Sequence, residues 1–331
     1  MALKTDIGSR VEVRALRRAL LSLILVVIVG AIFNGEGAFF AWDTHRDMLR
    51  QVSVYGILAC GATVVIITGG IDLAVGSILG LSAVIFALAT IHLGWPTPLA
   101  VAATLGAGTV CGLLSGGLVA RASLQPFIAT LAMMVFARGL AKLASGGQKI
   151  SSAVQEADGT YRYVDVPRIF DTISARTAGD NIAVVTILLA ACLLACWLLL
   201  ARTPAGRQLY AIGGNEEAAR FAGVPVGAAK TFAYALSGFF CAVAGMCQAA
   251  QEQQGDPEAG ATYELTAIAM VVIGGTSLRG GQGSVGLTAL GVLIIGYLEK
   301  ILSINAVGEA PRLLLTGLII VAAVLLQRRP D

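Results

Sequence analysis

The feature that most limits the possible folds of this chain is its long runs of apolar residues, which contain no charged side chain. The run from Ile182 to Leu200 is a clear example, because none of its 19 residues is charged. A strand of a membrane β-barrel alternates apolar and polar residues, so an uninterrupted run of this kind predicts a membrane-spanning helix. Only 13% of the chain is charged, against roughly 25% in a soluble domain. The sequence therefore predicts an all-α polytopic membrane protein.

About ten spans fit the chain at roughly 20 residues each, and we expect one transmembrane domain over residues 1–331. The predicted helices cover residues 16–33, 49–67, 74–92, 99–119, 126–143, 182–200, 231–250, 263–277, 285–304 and 311–326. The basic N-terminal residues 1–15 favour a cytoplasmic start, since positive charge is retained on that side. An even number of spans then returns the C-terminus to the cytoplasm. Residues 144–181 form an outer loop in this topology, and residues 201–230 form a cytoplasmic one.

The sequence offers no candidate for a catalytic or metal-binding centre. Its six cysteines lie in apolar runs without the two-residue spacing of a zinc or redox motif, and there are only two histidines. The phosphate-binding pattern G-x-x-x-x-G-K-[ST] is also absent. We therefore predict a transport subunit rather than an enzyme. Any nucleotide hydrolysis that drives it belongs to a separate ATPase subunit.

The polar stretch from Thr203 to Lys230 interrupts the apolar pattern near the middle of the chain. Asn215 is a favourable N-cap, and the two glutamates after it fall in the first turn, where negative charge suits the helix dipole. Gly223 can end the helix in a left-handed conformation. The predicted helix, Glu216–Ala222, is about 10 Å long and has no evident partner in its own loop. We therefore expect it to contact another protein.

Two glycine-rich segments, which we call the first break (Val64–Leu81) and the second break (Val271–Leu287), interrupt the apolar runs in similar ways. Each contains an apolar VVI, a Gly-Gly pair, a polar stretch, then a Gly-Ser and a Gly-Leu before the next helix. This similarity predicts two related halves of the kind found in transporters, although both breaks fall on one side in our topology. The alternative is a likeness of glycine chemistry alone, because glycine clusters also let helices pack closely.

Asp72 is the most informative ionisable residue inside a predicted span, since charge is costly in lipid and usually faces protein or water. It either caps the helix that begins at Leu73 or lines a transport path. Arg138 and Lys142 lie at the end of their span, where long basic side chains can reach the interface. Glu264 lies close to a predicted helix end, so we expect it no deeper than the lipid headgroups.

Four motifs follow one another along the chain, namely TGGIDLAVGS at Thr68–Ser77, LQPFIATLAM at Leu124–Met133, GRQLYAIGGNEEAARFAGV at Gly206–Val224 and YELTAIAMVVIGGTSLRGGQGSVGL at Tyr263–Leu287. Together they resemble the permease subunits of bacterial monosaccharide ABC importers, the class that carries ribose, xylose, galactose and galactofuranose. The likeness extends from Arg50 to Leu326, nearly the whole chain. The outer loop follows the family least clearly, which leaves the choice of sugar open.

The resemblance implies a multi-pass protein of the bacterial inner membrane that works with several partners. These are one or two ABC ATPase subunits, a periplasmic sugar-binding protein, a second permease copy or a similar paralogue, and membrane lipid, but no nucleic acid. ATP and Mg²⁺ would be bound by the ATPase, and no cofactor by this chain. The resemblance assigns the ATPase contact to Gly213, Gly214, Asn215, Glu216, Glu217, Ala218, Ala219, Arg220 and Gly223. As a hypothesis, the translocation pathway involves Thr68, Gly69, Gly70, Asp72, Gly76, Gln125, Phe127, Thr130, Glu264, Gly274 and Gly275.

Alternating access is the mechanism that this resemblance implies, with the short cytoplasmic helix acting as the lever between ATPase and pathway. Two other transport classes stay open at this point. An ion-coupled secondary transporter would work without partners, but Asp72 is its only good candidate for a deep ionisable group. An ABC permease for another solute, such as a nucleoside or a branched-chain amino acid, would share the same architecture. A scaffold protein would leave the breaks and the helix unexplained.

Overall fold

The structure, a computed structural model, describes the backbone of residues 2–155, 160–308, 310–312, 314–315 and 317–318, and side chains from Val13 onward. The helices in these residues are α1 (Ala2–Ile32), α2 (Trp42–Ile67), α3 (Val75–Ala87), α4 (Thr97–Arg121), α5 (Pro126–Ser145), α6 (Arg168–Ser174), α7 (Val184–Arg202), α8 (Pro204–Gly214), α9 (Glu216–Phe221), α10 (Val226–Glu252), α11 (Tyr263–Gly274) and α12 (Val285–Ile304). A 3₁₀ turn covers Ala38–Phe40, and α3 continues as a π-helical turn over Leu88–His92. Two small antiparallel strand pairs complete the elements, β1 (Ala153–Gln155) with β2 (Tyr161–Tyr163) and β3 (Arg176–Thr177) with β4 (Ile182–Ala183).

Within the described residues, eight helices are long and apolar enough to cross a membrane, namely α1 from Val13, α2, α3 with its π-helical turn, α4, α5, α7, α10 and α12. The apolar helix α11 has only 12 residues, about 18 Å, and the hydrocarbon core of a bilayer is about 30 Å thick. Non-helical chain must therefore complete the span that contains α11. The predicted all-α polytopic fold is confirmed for the described residues.

The centre of the bundle consists of α2, α3 and α10, which are mostly buried. α4 packs along α10, α5 packs on α3, and α7 and α12 pack on α2. α11 lies against α12 and α2, and α1 lies outside α12 with most of its surface exposed. A helix that is apolar all round suits a buried position or a lipid-facing one, which agrees with both the central and the outer helices.

Glycines bring α4 and α10 into backbone contact. A Cβ added to Gly112 would lie 2.1 Å from the carbonyl oxygen of Tyr234, and one added to Gly238 would lie 2.1 Å from that of Gly108. Small residues at such crossings allow two helices to approach closely in a membrane. Close helix packing therefore accounts for these glycines.

The non-helical part of the first break, residues 68–74, turns back from the end of α2 and runs beside α10. Gly70 approaches the side chain of Tyr234, and Asp72 accepts a hydrogen bond from Ser237 at 2.8 Å. Because Ser237 also contacts Gly61, Asp72 lies at the level of Gly61, well inside α2. The helix α3 therefore begins inside the bundle rather than at its surface.

A second non-helical segment, residues 253–262, enters the bundle from the opposite end, and we call it the return segment. It leaves α10 at Gln253, which has a left-handed φ of 55°, and packs Gly255 against Ala83 and Ala87 of α3. It then reaches Gly260, whose backbone touches the start of α3. The return segment thus runs antiparallel to α3 and supplies the missing length of the α11 span.

The described part of the loop 144–181 contains short helices and strands and packs on the bundle. Its helix α6 contacts α10, and Phe170 is fully buried with its ring stacked on Phe86, the centroids 5.0 Å apart. A hydrogen bond of 2.8 Å joins the Ile150 amide to the carbonyl of Gly255, so the loop also pairs with the return segment. Buried aromatic stacking anchors this loop to the bundle.

Most predicted helices agree with the structure to within a few residues. The predicted helix 16–33 begins at Ala2 and the predicted helix 49–67 begins at Trp42, whereas the predicted helix 263–277 ends at Gly274 because Gly275 has a left-handed φ of 112°. The helix α8 was not predicted. The predicted helix 311–326 lies largely outside the described residues, and whether the two halves are related stays a prediction.

Candidate functional site

The polar stretch 203–230 folds into α8 and α9, which we call the α8–α9 unit. Asn215 ends α8 and caps α9, its side-chain oxygen accepting from the amide of Ala218 at 2.9 Å. α9 ends at Phe221, one residue earlier than predicted, and Gly223 beyond it has a left-handed φ of 81°. The predicted cap and the predicted helix-ending glycine are both confirmed.

Glu216 is paired inside the chain. Its carboxylate lies 2.5 Å from the ammonium of Lys230 on α10 and 3.5 Å from the guanidinium of Arg220 on α9. The Lys230 side chain is only 17% exposed, so this ion pair fastens α9 to the bundle. Ala219 on the same face is buried. The prediction that α9 has no partner in its own loop is therefore wrong, because Lys230 at the end of the same loop forms an ion pair with Glu216.

The outward face of α9 is exposed and carries one large apolar side chain. Glu217, Ala218 and Arg220 are exposed, and Phe221 is 85% exposed, the highest value for a large hydrophobic residue in the described chain. Exposed aromatic residues are common anchors of protein interfaces. Sequence reasoning missed Phe221, although an apolar residue closing an otherwise polar helix was a usable signal.

Gly213, near the end of α8, touches both breaks at once. The amide of Gly281 donates to the carbonyl of Ile67 at 2.9 Å, and a Cβ on Gly213 would lie 1.8 Å from that oxygen. A Cβ on Gly280 would lie 2.7 Å from the amide nitrogen of Gly69. We call Gly69, Gly213, Gly280 and Gly281 the glycine junction. It joins the α8–α9 unit to both breaks through backbone atoms alone.

Asp72 is buried and has two hydrogen-bond partners. Its Oδ1 accepts from the amide of Ala74 at 3.0 Å and its Oδ2 accepts from the hydroxyl of Ser237 at 2.8 Å. Ala74, not Asp72, occupies the N-cap position of α3. Asp72 therefore accepts a hydrogen bond from the backbone amide of the residue that directly precedes the helix. The carboxylate therefore ties the first break to α10, which is closer to the capping interpretation than to an open pathway.

We expect Asp72→Ala to destabilise the protein far more than Asp72→Asn. Alanine leaves the buried amide of Ala74 and the hydroxyl of Ser237 without partners, at about 1–3 kcal/mol each. Asparagine keeps an acceptor for the amide, and the hydroxyl of Ser237 can rotate to accept from its NH₂ group. Thermal unfolding of the purified variants in detergent measures the difference. Equal losses for the two variants would show that the negative charge itself is needed.

The start of α3 meets the end of the return segment near the middle of the bundle. A Cβ on Gly76 would lie 2.1 Å from the carbonyl oxygen of Gly260 and 2.6 Å from the carboxylate of Glu264. The ring of Tyr263 lies 4.3 Å from that of Tyr55, halfway along α2. The expectation that Glu264 lies no deeper than the headgroups is therefore wrong, because α11 begins inside the bundle.

Basic side chains of α5 hold the return segment. Arg138 Nη1 donates to the carbonyl of Pro257 and, at 2.8 Å, to that of Ala259, so it does not simply reach the membrane interface. Beyond the buried part of α5, Lys142 lies 2.5 Å from Glu258 and Lys149 lies 2.9 Å from Asp256. The hydrogen bond to Asp256 raises the pKa of Lys149. These contacts form a row along one side of the return segment.

The other residues assigned to the pathway do not meet in one place. Thr68, Gly69 and Gly70 border the α8–α9 unit, whereas Gln125 and Phe127 are exposed at the start of α5. The remaining ones serve packing. Thr130 is buried and donates to the carbonyl of Pro126 at 2.9 Å, Gly274 packs on Leu287, and Gly275 approaches Ala15. Their role in translocation stays a hypothesis.

Within the described residues, no group of three or more histidine, cysteine or acidic side chains could hold a metal ion. The six cysteines are all buried and free. Burial among apolar side chains suits a cysteine that serves only packing.

Comparison with known proteins identifies the family. The family model described as "Branched-chain amino acid transport system / permease component" matches residues 46–324. The chain belongs to this family. It is 35% identical to the ribose import permease protein of Haemophilus influenzae over 93% of this chain and 92% of the relative. It is 40% identical to the ribose import permease protein of Bacillus subtilis, over 93% and 91%, and 38% identical to the fructose import permease protein of Rhizobium meliloti, over 92% and 83%.

These matches confirm the predicted resemblance to import permeases. The protein is a polytopic membrane permease, that is, a transport component. Because the matched region runs from α2 past α12, it includes both breaks, the return segment and the α8–α9 unit. Two relatives of similar identity carry different sugars in their names, so similarity alone does not select a substrate.

Proposed function

We propose that this permease is the membrane-spanning subunit of an ATP-driven ABC importer for a monosaccharide. The named relatives, which are ribose and fructose import permeases, support the substrate class. The observation that carries the coupling mechanism is the glycine junction. Through it, α8, which Asn215 joins directly to the exposed helix α9, is in backbone contact with both breaks. A push on that helix can therefore reach the interior of the bundle without passing through flexible side chains.

The proposed orientation places the α8–α9 unit in the cytoplasm. The end of the bundle that carries this unit also carries the second break, and basic residues favour the cytoplasmic side. They are Arg202, Arg207, Arg220, Lys230 and Arg279. Residues 1–15 and the C-terminus then lie in the cytoplasm and residues 144–181 in the periplasm of a bacterial inner-membrane protein. A single transmembrane domain over residues 1–331 is part of the same proposal.

The proposed partners follow from this orientation. One or two ATPase subunits, which hold ATP and Mg²⁺, bind the exposed face of α9. A periplasmic sugar-binding protein docks on the outer loop. A second permease, identical or similar, completes the assembly within the lipid bilayer.

In the proposed cycle the α8–α9 unit acts as a lever. ATP binding closes the ATPase subunits and moves α9, and the ion pair between Glu216 and Lys230 transmits part of this movement to α10. The glycine junction transmits the rest to the two breaks. Inside the bundle, the first break and the return segment meet where Gly76 touches Gly260, so a shift of one break changes this contact. Alternating access results if the contact opens towards one side at a time.

Reconstitution tests the proposed function. The permease is placed in liposomes alone, and then together with its cognate ATPase and sugar-binding protein. We expect uptake of a labelled monosaccharide only in the complete system and only with ATP. Uptake by the permease alone, driven by an ion gradient, would instead establish a secondary transporter.

The substrate is tested on the binding protein, because the binding protein commonly selects the solute in such systems. A ligand raises the unfolding temperature of the protein that binds it. We expect a pentose or hexose to raise the unfolding temperature of the purified binding protein. A shift produced only by a nucleoside or a branched-chain amino acid would contradict the monosaccharide assignment.

We expect Arg138→Ala to abolish sugar uptake while the protein still inserts into the membrane. The two carbonyl groups that Arg138 binds belong to the return segment, and an unpaired carbonyl away from water costs about 1–3 kcal/mol. The return segment should therefore lose its fixed position beside α3. Uptake and ATP hydrolysis are measured in the reconstituted complex.

The matched control is Lys142→Ala, one turn further along α5. Its ion pair with Glu258 is about half exposed at both side chains, and such pairs contribute at most about 1 kcal/mol. Uptake by this variant should stay close to that of the unmodified protein. If Arg138→Ala also kept normal uptake, a fixed return segment would not be required.

A further inference from the structure

A cavity of about 300 Å³ lies between the α8–α9 unit, the first break and α10. Ligand pockets in proteins range from roughly 300 to 1,000 Å³, so this one suits a single small molecule. Its walls come from six parts of the chain, which also include one end each of α4 and α5 and the second break. They are formed by Thr68, Gly69, Gly70, Val119, Pro126, Ile212, Gly213, Glu216, Lys230, Tyr234 and Arg279.

The hydroxyl of Tyr234 has no hydrogen-bond partner in this cavity wall. Tyr234 is only 1% exposed, and its oxygen is among the buried polar atoms without a partner. It points at the first break, 2.5 Å from the position that a Cβ of Gly70 would take. Buried polar groups are nearly always paired, and an unpaired one calls for an explanation. Because this oxygen has almost no surface open to the cavity, a bound solute would supply the missing partner with its own hydroxyl group after a small shift of Tyr234 or Gly70.

The remaining polar groups indicate a neutral ligand with several hydroxyl groups. Lys230 and Glu216 form an ion pair at 2.5 Å, so their charges compensate each other while both can still bind a hydroxyl. Arg279 adds further donors at the exposed side of the cavity. Val119, Pro126 and Ile212 supply the apolar walls. This combination of donors, acceptors and aliphatic surface matches the alternating hydroxyl and C–H faces of a monosaccharide.

We propose that this cavity binds one monosaccharide from the cytoplasmic side and that the bound sugar inhibits the transport cycle. The inference rests on the proposed function, which supplies the sugar and the orientation. The sugar would touch the α8–α9 unit, the first break and Arg279 of the second break at the same time. It would therefore hold these three parts in the arrangement seen here and oppose their movement. Accumulated sugar thus slows its own import.

Binding is tested on the full-length permease in nanodiscs without its partners. Its unfolding temperature is measured with increasing D-ribose, D-fructose or D-xylose, and sucrose corrects for the general stabilising effect of sugars. We expect a saturable rise for at least one monosaccharide and none for sucrose. Tighter binding of ribose 5-phosphate than of ribose would overturn the assignment of a neutral ligand.

The decisive variant is Tyr234→Phe, which removes only the unpaired hydroxyl. We expect the affinity for the sugar to fall about threefold to tenfold, as for the loss of one hydrogen bond. The matched control is Tyr297→Phe on α12, whose ring contacts Phe39 and His45 far from the cavity. Unchanged affinity in Tyr234→Phe would overturn the proposal. If that variant fails to insert, Val119→Phe replaces it, and we expect its larger side chain to fill the cavity and prevent binding.

Inhibition is tested in proteoliposomes that contain the complete importer. ATP hydrolysis stimulated by the loaded binding protein is measured with and without sugar on the cytoplasmic side, each variant being compared with its own rate without sugar. We expect inhibition that weakens in Tyr234→Phe and persists in Tyr297→Phe. Normal ATP-driven import without any such inhibition would overturn this inference and leave the proposed function intact. Absence of ATP-driven import would instead contradict the proposed function.

Discussion

Gly213→Ala is expected to abolish sugar uptake, because it places a methyl group inside the glycine junction. The new Cβ would lie 1.8 Å from the carbonyl oxygen of Ile67 and 2.4 Å from the amide nitrogen of Gly281. These two atoms form the hydrogen bond that joins the breaks, so the methyl group must push the breaks apart or displace α8. Overpacking of this kind costs about 1–3 kcal/mol, and the lost hydrogen bond adds about 1 kcal/mol. The α8–α9 unit would then no longer move together with the breaks.

Gly214→Ala provides a control one residue further along the chain. A Cβ at Gly214 meets no atom within 4 Å, so the same chemical change should leave uptake nearly unchanged. Uptake and ATP hydrolysis are compared in the reconstituted importer, with membrane insertion measured for both variants. We expect Gly213→Ala to insert and to hydrolyse ATP without responding to the loaded binding protein. Normal uptake by Gly213→Ala would rule out the glycine junction as the connection between α9 and the breaks.

Local sequence signals predicted the helices and the cap well. Apolar runs of span length identify α2, α4, α7 and α12 because a lipid environment admits few alternatives to a helix. Asn215 was predicted as a cap from its side chain and the glutamates that follow it, and the structure contains that hydrogen bond. Each of these features depends on residues that are neighbours in the sequence.

Contacts between distant residues could not be predicted in the same way. The return segment, residues 253–262, lacks a sequence signal of its own, because its position depends on Arg138 and Gly76, which are more than 100 residues away. The same limit explains why Glu264 was placed too close to the membrane surface. It also explains the missed ion pair of Glu216, whose partner Lys230 lies near the start of α10, on a different helix. The glycines of both breaks were recognised, but their meeting point was not.

Phe221→Ala is expected to weaken binding of the ATPase subunit to this permease by about 30-fold or more. The Phe221 side chain is 85% exposed at the end of α9, and it makes the largest apolar contribution to the face that we assign to the ATPase. Truncating an aromatic anchor at the centre of an interface commonly costs about 2 kcal/mol or more of binding free energy. A loss of about 2 kcal/mol lowers the affinity about 30-fold. The affinity of the ATPase for the permease in nanodiscs measures the effect.

Phe136→Ala is the matched control for this prediction. Phe136 is 54% exposed but lies on α5 within a predicted membrane span, so its loss should leave ATPase binding unchanged. Because Phe221 does not contribute to the buried core, both variants should unfold at similar temperatures, which separates lost binding from lost stability. If the two variants bound the ATPase equally well, the ATPase would not use the apolar end of α9. The exposed charges Glu217 and Arg220 would then have to provide the contact, and the affinity would fall steeply with salt.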